Sequence, residues 1–269
     1  MELYQEGLKV LKKIFLFLIL FLISLPSYGL VKLVKESVLW ANLESHRVLH
    51  LSCDDNTDNT TVLDTSGNGY HGTAQQDTCD INVAGKIGGA LSFNGTTDYV
   101  DANNTFQTTF QFDSTISVWI KKEPSVSFYY IPIGTSDATQ DNTVNLCFDL
   151  VEDVERVAFY HINSSGTLTV IASNTSVADG NWHLITVTVE QTESKVYGKI
   201  YIDAVLTASS DETMLLSSYS NGSNLYVGCN NWNGSTTCPY EGYLDDVRIY
   251  DIALSQRQVG LLWNGGNGR

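Results

Sequence analysis

Two adjacent acids near the C-terminus, Asp245 and Asp246, have a spacing that suggests chemistry. The apolar positions that follow them, Val247 and Ile249, fall out of strict alternation with the preceding ones. Such a slip predicts a β-bulge, which re-aims side chains at rims and sites. Two neighbouring carboxylates repel one another unless a cation, or a base such as Arg248, neutralises them.

Calcium is the cation that such oxygens would hold, because it takes about six to eight oxygen ligands from carboxylates, amides and main-chain carbonyls. Asp54 follows an apolar opening run, and Asn68 lies in a glycine-flanked turn. We therefore expect a structural calcium ion held by Asp54, Asn68, Asp245 and Asp246. The alternative is that Asp245 and Asp246 are solvated at an edge and paired with Arg248.

Catalytic patterns are weak by comparison. A glycosidase needs two carboxylates at a set distance across the scissile bond, and the nearest candidates lie within residues 149–155. There Glu152 and Asp153 are adjacent and point to opposite faces of a strand, which favours a solvated hairpin turn, although Asp153 and Glu155 do alternate. The chain has no Gly-x-Ser-x-Gly elbow of a serine hydrolase and no glycine-rich phosphate loop. We predict that the protein is not an enzyme.

Aromatic residues beside polar ones favour binding, since sugar sites combine apolar rings with a few well-placed polar groups. Trp232 lies next to Asn231 in an Asn-rich loop, where it either contacts a ligand or covers the edge of the fold. Trp119 has the opposite parity to its apolar neighbours, so it lines a sheet face or is buried by a covering loop. Tyr130 adjoins the polar loop 136–141. We expect Trp232, Asn231, Tyr130 and Trp119 to bind the ligand.

The five cysteines have no spacing typical of a zinc site, and an odd number leaves one thiol unpaired. Cys229 and Cys238 flank a short turn-rich loop and are expected to form a disulfide. Cys147 alternates with polar residues and is expected to be the unpaired thiol.

Charge limits the partners. The chain has 30 acidic and 15 basic residues among 269, with a net charge of −15. Phosphates would be repelled, so neither nucleic acid nor an anionic membrane surface is expected as a partner.

The N-terminus is typical of an export signal, with lysines at positions 9, 12 and 13 before an apolar run over residues 14–25. That run is shorter than the ~20 residues that span a bilayer. We expect residues 1–29 to be a signal peptide cleaved after Gly29, residues 30–47 a leader, and residues 48–269 one domain. The protein would then be secreted or at the cell surface, and an uncleaved signal would be its only membrane contact.

The elements that would position these residues are mostly strands. Short β-branched and aromatic runs separated by Gly, Asn, Asp and Ser clusters are typical of a β-sandwich or barrel. Residues 144–150 alternate apolar and polar residues with period two. Only residues 255–264 have a helical pattern, which Ser255 is placed to cap.

Four segments, at residues 49–55, 64–72, 85–100 and 242–255, together resemble the laminin-G-like, pentraxin-like members of the concanavalin A-like lectin/glucanase superfamily. The resemblance covers about residues 48–265. It implies an all-β, two-sheet antiparallel jelly-roll sandwich with neighbouring first and last strands and one short C-terminal helix. It also implies a calcium ion where the first strand, the turn at Asn68 and the last strand meet.

Two positions depart from the family pattern. Cys53 stands where the opening strand usually carries an aromatic residue, so a disulfide to Cys79 is expected to replace that packing. Ala204 stands where a turn usually has glycine, which puts a left-handed residue there in doubt because alanine avoids positive φ.

The resemblance implies extracellular binding of a glycan or glycosylated partner without catalysis. The alternative is a structural or adhesion domain without a small ligand, and a glycoside hydrolase on the same fold is a third possibility.

Overall fold

The computed structural model describes residues 27–124, 129–135, 143–151, 154–162, 168–192, 196–212, 224–232, 235–237 and 239–268. Most of the expected signal peptide lies outside these residues, so cleavage after Gly29 stays a prediction. The chain divides into two compact units, Met1–Ser45 and His46–Arg269.

The first unit contains helix α1, Ser27–Ser45. The sequence predicts only an ill-defined leader over residues 30–47, so the helix is a correction. Beyond Gly29 this stretch has no Gly or Pro, and its four Leu, two Lys and two Glu residues are good helix formers. Among the helices of the described residues, none is long and apolar enough to cross a membrane.

The second unit consists almost entirely of strands. They are β1 Arg47–Leu51, β2 Thr61–Val62, β3 Gly72–Ala74, β4 Asn82–Ala84, β5 Gly89–Asn94, β6 Val100–Asp101, β7 Ser114–Lys121, β8 Tyr129–Thr135, β9 Thr143–Val151, β10 Val154–Ile162, β11 Leu168–Ala172, β12 Trp182–Gln191, β13 Val196–Ile202, β14 Val205–Glu212, β15 Tyr226–Val227, β16 Asn230–Trp232, β17 Ser235–Thr237 and β18 Glu241–Tyr250.

Three further helices accompany these strands. They are the single turns α2 Thr78–Ile81 and α3 Gln107–Phe110, and the C-terminal α4 Gln256–Trp263, which runs into a 3₁₀ turn at Asn264–Gly266.

Two eight-stranded sheets form the sandwich. Sheet A has the order β14-β13-β12-β7-β18-β5-β4, with β1 also pairing with β18, and sheet B has the order β11-β10-β9-β8-β15-β6-β3-β2. The hairpin β16–β17 is separate from both. The pairings of the described strands are antiparallel. The predicted all-β, two-sheet sandwich is confirmed.

One hydrophobic core lies between the sheets. On β7, Ile116, Val118 and Ile120 enter it, and Ile133 and Leu146 come from sheet B. Because successive strand residues point to opposite faces, Trp119 and Lys121 lie on the other, outer face of sheet A.

The opening strand β1 pairs with the last strand β18, which confirms the predicted neighbours. The predicted bulge is also present, because the register of β18 against β7 shifts between Asp245 and Arg248. Asp246 there adopts φ +52°, which turns its side chain out of the regular alternation.

The turn between β13 and β14 keeps its left-handed backbone in spite of alanine. Asp203 has φ +54° and Ala204 has φ +62°, as the two-residue type I′ hairpin turn requires. The expectation that Ala204 disfavours a left-handed residue at this turn is therefore wrong. The alanine is held in that conformation at a cost in backbone strain.

The C-terminal helix begins as predicted. Ser255 is its N-cap, and the Ser255 side chain and the Gln258 side chain form a capping box. Val259 and Leu262 bury its apolar face.

Candidate functional site

A row of side chains crosses four neighbouring strands of sheet A at the end where β7 finishes. Trp182 on β12 is opposite Lys121 on β7, which is opposite Tyr243 on β18, which is opposite Ser92 on β5. Directly opposed residues of an antiparallel pair share a face. All four therefore lie on the outer face, away from the core, and all four are partly exposed.

Two aromatic rings dominate this row. The ring centroids of Trp182 and Tyr243 are 6.5 Å apart, with their planes tilted by 51°. The Lys121 ammonium lies 5.7 Å from the centroid of the Tyr243 ring, within the range of a cation–π contact. The row is thus an aromatic surface with a cation between its rings, and ring faces of this kind can pack against the C–H face of a sugar.

A small pocket adjoins Tyr243. Its volume is about 250 Å³, and Ser92, Asn94, Glu123 and Glu241 line it together with Tyr243. Glu241 is opposite Asn94 in the β18–β5 register, so an exposed carboxylate and an exposed amide face the same space. Typical small-molecule pockets hold roughly 300–1,000 Å³. This pocket is therefore suited to a small ligand or to one end of a larger one.

Gly242 allows the close approach of strands that sets Tyr243 in place. Its φ is +142°, and a Cβ at this position would lie 2.6 Å from the Lys121 carbonyl oxygen and 2.8 Å from the Tyr240 Oη. A larger residue would push β18 away from β7, and with it Tyr243 away from Lys121.

The turn before Trp182 is fixed by a histidine between two carboxylates. His183 Nδ1 is 2.7 Å from Asp203 Oδ2, and His183 Nε2 is 3.2 Å from Asp179 Oδ1. The hydrogen bond with Asp203 raises the pKa of His183, outweighing burial, and the charges of Asp203 and Asp179 act in the same direction. Asp179 Oδ1 also accepts a hydrogen bond from the Asn181 backbone amide, 2.9 Å away. Trp182 thus follows an anchored turn.

Two of the predicted ligand-binding aromatics are buried instead. Trp119 is fully buried, stacked on Trp263 of α4 with 5.2 Å between centroids, and the Lys86 ammonium lies 5.1 Å from its ring. Tyr130 belongs to the core cluster, with the Lys122 ammonium 4.4 Å from its ring. The parity of Trp119 was predicted correctly, but α4 covers that part of the outer face. Neither ring presents a binding surface.

The other two predicted residues, Asn231 and Trp232, lie on β16 in the hairpin that pairs Trp232 with Ser235. Their side chains are outside the described residues, so their role in binding stays a prediction.

The predicted calcium ligands fall into separate hydrogen-bond sets. Asp246 Oδ1 is 2.7 Å from His50 Nε2 and accepts from Arg248 Nη2 at 2.8 Å. Asn68 Nδ2 donates to the Val48 carbonyl oxygen at 2.9 Å. Asp246 is therefore paired with Arg248, as the alternative to calcium binding expected, but Asp245 and Asp246 are both buried rather than solvated.

Asp54 and Asp245 instead flank one turn, at residues 85–89. Asp54 Oδ1 accepts from the Gly89 amide at 2.6 Å, and Asp245 Oδ2 accepts from the Lys86 and Ile87 amides at 2.8 Å. Burial raises the pKa of the Asp245 carboxyl to about 7, and its Oδ1 is buried without a hydrogen-bond partner.

The fit to calcium is therefore incomplete. Within the described part of the chain, no three His, Cys, Asp or Glu side chains are grouped so as to hold a metal. Calcium binding by Asp54, Asn68, Asp245 and Asp246 stays a prediction. At Asp54 and Asp245 the ion would need further oxygens from backbone or water.

The expected Cys53–Cys79 disulfide is not formed in the structure, where both are free thiols. Cys53 is buried, with its Sγ 3.6 Å from the Leu51 carbonyl oxygen, and Cys79 Sγ is 3.2 Å from Asp58 Oδ1. Cys53 has φ +60°, so the chain turns at the end of β1. Cys238 lies outside the described residues, as does the side chain of Cys147.

Glu152 and Asp153, two of the acids considered for catalysis, lie outside the described residues. β9 and β10 pair on either side of them, up to Val151 and Val154, and the predicted hairpin turn stays a prediction.

The aromatic row was not predicted from the sequence. The available signal was that Trp182 opens a strand after a Gly-Asn turn, while Tyr243 shares parity with Glu241. Only the pairing of β7 with both strands brings the two rings together.

Comparisons with known proteins agree with this fold. A family model described as the concanavalin A-like lectin/glucanases superfamily matches residues 94–260. Among curated proteins, no sequence matches this chain.

Two solved structures are similar in fold. One is the receptor binding domain of botulinum neurotoxin C/D mosaic serotype, with TM-score 0.62 and 16% identity, covering 82% of this chain. The other is domain 4 of AbnA, an extracellular arabinanase from Geobacillus stearothermophilus, in complex with arabinotriose, with TM-score 0.58 and 19% identity over 80% of this chain. The chain matches 97% of the arabinanase domain but about half, 52%, of the toxin domain.

Proposed function

We propose that this chain, which belongs to the concanavalin A-like lectin/glucanases superfamily, is a non-catalytic module. It binds a glycan or a glycosylated partner outside the cell. The surface around Trp182 and Tyr243 is its binding site. The observation that carries this proposal is the row that places both rings, Lys121 and Ser92 on one outer face of sheet A.

The site has the composition that sugars require. Two partly exposed rings supply apolar faces, while Glu241 and Ser92 supply a carboxylate and a hydroxyl that can hydrogen-bond at the adjoining pocket. Similar folds bind sugars: one similar structure is the ligand binding domain of botulinum neurotoxin serotype D in complex with N-acetylneuraminic acid. The arabinanase domain is in complex with arabinotriose. These structures support a saccharide ligand and leave its identity open.

Catalysis is disfavoured by the setting of the carboxylates. A glycosidase acid needs a pKa raised by burial or by a neighbouring charge. Glu123 and Glu241, which line the pocket, are both exposed. The site therefore provides groups that bind hydroxyls and no enclosed acid to protonate a leaving group.

A glycan array is the first test, run with wild type, Trp182→Ala and Trp232→Ala. Specific binding that is lost in Trp182→Ala supports this surface as the site. Loss only in Trp232→Ala would move the site to the β16–β17 hairpin. No binding to any glycan would favour a structural or adhesion domain, and release of reducing sugar from a bound polysaccharide would show a glycosidase.

A further inference from the structure

A second cleft lies at the opposite end of the strands that carry the Trp182 row. Phe112 and Asp113 immediately precede β7, Gln191 ends β12 and Thr192 follows it, and Asp251 follows β18. These five residues line a shallow cleft that is largely open to solvent. β7 is 8 residues long, and at 3.3 Å per residue it separates the two clefts by about 26 Å. The two clefts share no residue.

Phe112 is the unusual residue of this cleft. Its side chain is 60% exposed, although an aromatic ring of this size gains considerably from burial. The ring is held on an ordered segment, because the Phe112 amide donates to the Thr109 carbonyl oxygen at 3.3 Å. The neighbouring Asp113 carboxylate accepts a hydrogen bond from the Gln191 backbone amide at 2.7 Å. An exposed ring beside an anchored loop is a preformed apolar platform.

Polar groups surround that platform. Asp251 Oδ1 is 2.8 Å from His46 Nδ1, and its side chain remains 52% exposed. Each carboxylate has two oxygens and about four acceptor positions, so Asp113 and Asp251 can each accept further hydrogen bonds. Gln191 and Thr192 contribute an amide and a hydroxyl. The exposed Phe112 ring with the Asp113 and Asp251 carboxylates at its edge matches the alternating C–H and O–H surface of a saccharide.

The charge of the cleft selects among saccharides. Asp113 and Asp251 are both acidic, His46 contacts Asp251, and the whole chain carries −15. A sugar carboxylate or sulfate would be repelled, whereas neutral hydroxyls can donate to both aspartates. We propose that the cleft of Phe112, Asp113, Gln191, Thr192 and Asp251 is a second binding site, specific for neutral saccharides.

This site goes beyond the proposed function, because two sites at opposite ends of one sheet make the domain bivalent. A bivalent module cross-links glycan chains or binds one long chain at two points, which raises its avidity without new contacts. The proposal does not depend on Trp182, since either cleft can bind without the other.

Amide chemical shifts measured by NMR test the proposal. The full-length protein is titrated with arabinotriose, xylotriose and cellotriose, and the amides of residues 112, 113, 191, 192 and 251 are followed beside those of residues 121, 182 and 243. We expect at least one trisaccharide to shift the first group in wild type and in Trp182→Ala. Phe112→Ala should abolish that response and leave the second group unchanged.

Controls separate binding from misfolding. Tyr197→Ala removes another exposed aromatic on sheet A that lines neither cleft, and it should retain both responses. Phe112→Tyr keeps the aromatic ring, so this variant should retain the chemical-shift response of the first group that Phe112→Ala loses. If no trisaccharide shifts the first group, or if the shifts persist in Phe112→Ala, the second site does not exist, whatever happens at Trp182.

Discussion

The rings of Trp182 and Tyr243 lie 6.5 Å apart on two strands that do not pair with each other. β7 runs between them and places Lys121 at the same register position. The candidate site thus depends on β7, which pairs with both β12 and β18 and so brings the two rings together.

The turn at Ala204 predicts a stabilising substitution. Because Ala204 is held at φ +62°, Ala204→Gly should raise the free energy of unfolding by about 0.5–1 kcal/mol, by removing the left-handed strain of a residue with a Cβ. Urea denaturation with an unchanged m-value is the measurement. Asp203→Gly is the contrasting variant: it should destabilise the protein, because Asp203 also accepts from the Leu184 amide and contacts His183. A destabilised Ala204→Gly would show that the turn is not left-handed.

Asp64 predicts a pH-dependent loss of stability. Its carboxylate accepts from the His50, Ser66 and Tyr70 amides and from the Ser66 hydroxyl. Burial opposes ionisation, but these hydrogen bonds outweigh it and lower the pKa of Asp64. A lowered folded-state pKa contributes stability that is present above the unfolded-state value and lost as pH falls through the folded-state value.

Asp64→Asn should therefore reduce the free energy of unfolding near neutral pH by about 1–3 kcal/mol, since the amide nitrogen cannot accept from the Tyr70 amide. It should also weaken the decline in stability below pH 4, where the unfolded-state value of 3.8 lies. Thermal melts across that pH range would measure both. Equal acid sensitivity in the variant and wild type would assign that decline to other carboxylates.

Calcium is tested by melting the protein with EDTA and with added calcium. A ligand of the folded state alone stabilises by about 2.7 kcal/mol at a hundredfold excess over its Kd. The calcium prediction is a rise in Tm that Asp245→Asn abolishes and Asp246→Asn changes less, because Asp246 is already paired with Arg248. A Tm that changes with neither EDTA nor added calcium would show that this metal site does not exist.

The thiols predict a distinct pattern of reactivity. Burial raises the pKa of Cys53 well above its usual value, and a hydrogen bond to Asp58 raises that of Cys79 to about 11. Both should react slowly with iodoacetamide in the folded protein, because the thiolate is the reactive form.

Peptide mapping without reduction should join Cys229 to Cys238. In the chain-entropy model, a ring of about ten residues stabilises by roughly 2–3 kcal/mol, so reduction should lower Tm. Cys229 linked to Cys147 would contradict this pairing.

Local features of the fold were predictable from the sequence. The slip after Asp246 indicated the bulge, and Ser255 indicated the start of α4, because both depend on residues close in the chain. The burial of Trp119 was not decided by parity, since the covering Trp263 comes from a distant helix. The row of Trp182, Lys121 and Tyr243 was missed for the same reason: its geometry is set by the register of three strands far apart in sequence.

Binding affinity for the strongest glycan found on the array tests the central claim most directly, with Trp182→Ala and Tyr243→Ala compared with wild type and with Tyr197→Ala as control. A central aromatic contact in a binding site contributes about 2 kcal/mol or more, which corresponds to a loss of about 30-fold in affinity. We expect a loss of that size in Trp182→Ala, a clear loss in Tyr243→Ala and wild-type affinity in Tyr197→Ala. Wild-type affinity in folded Trp182→Ala and Tyr243→Ala would show that this surface does not bind the glycan.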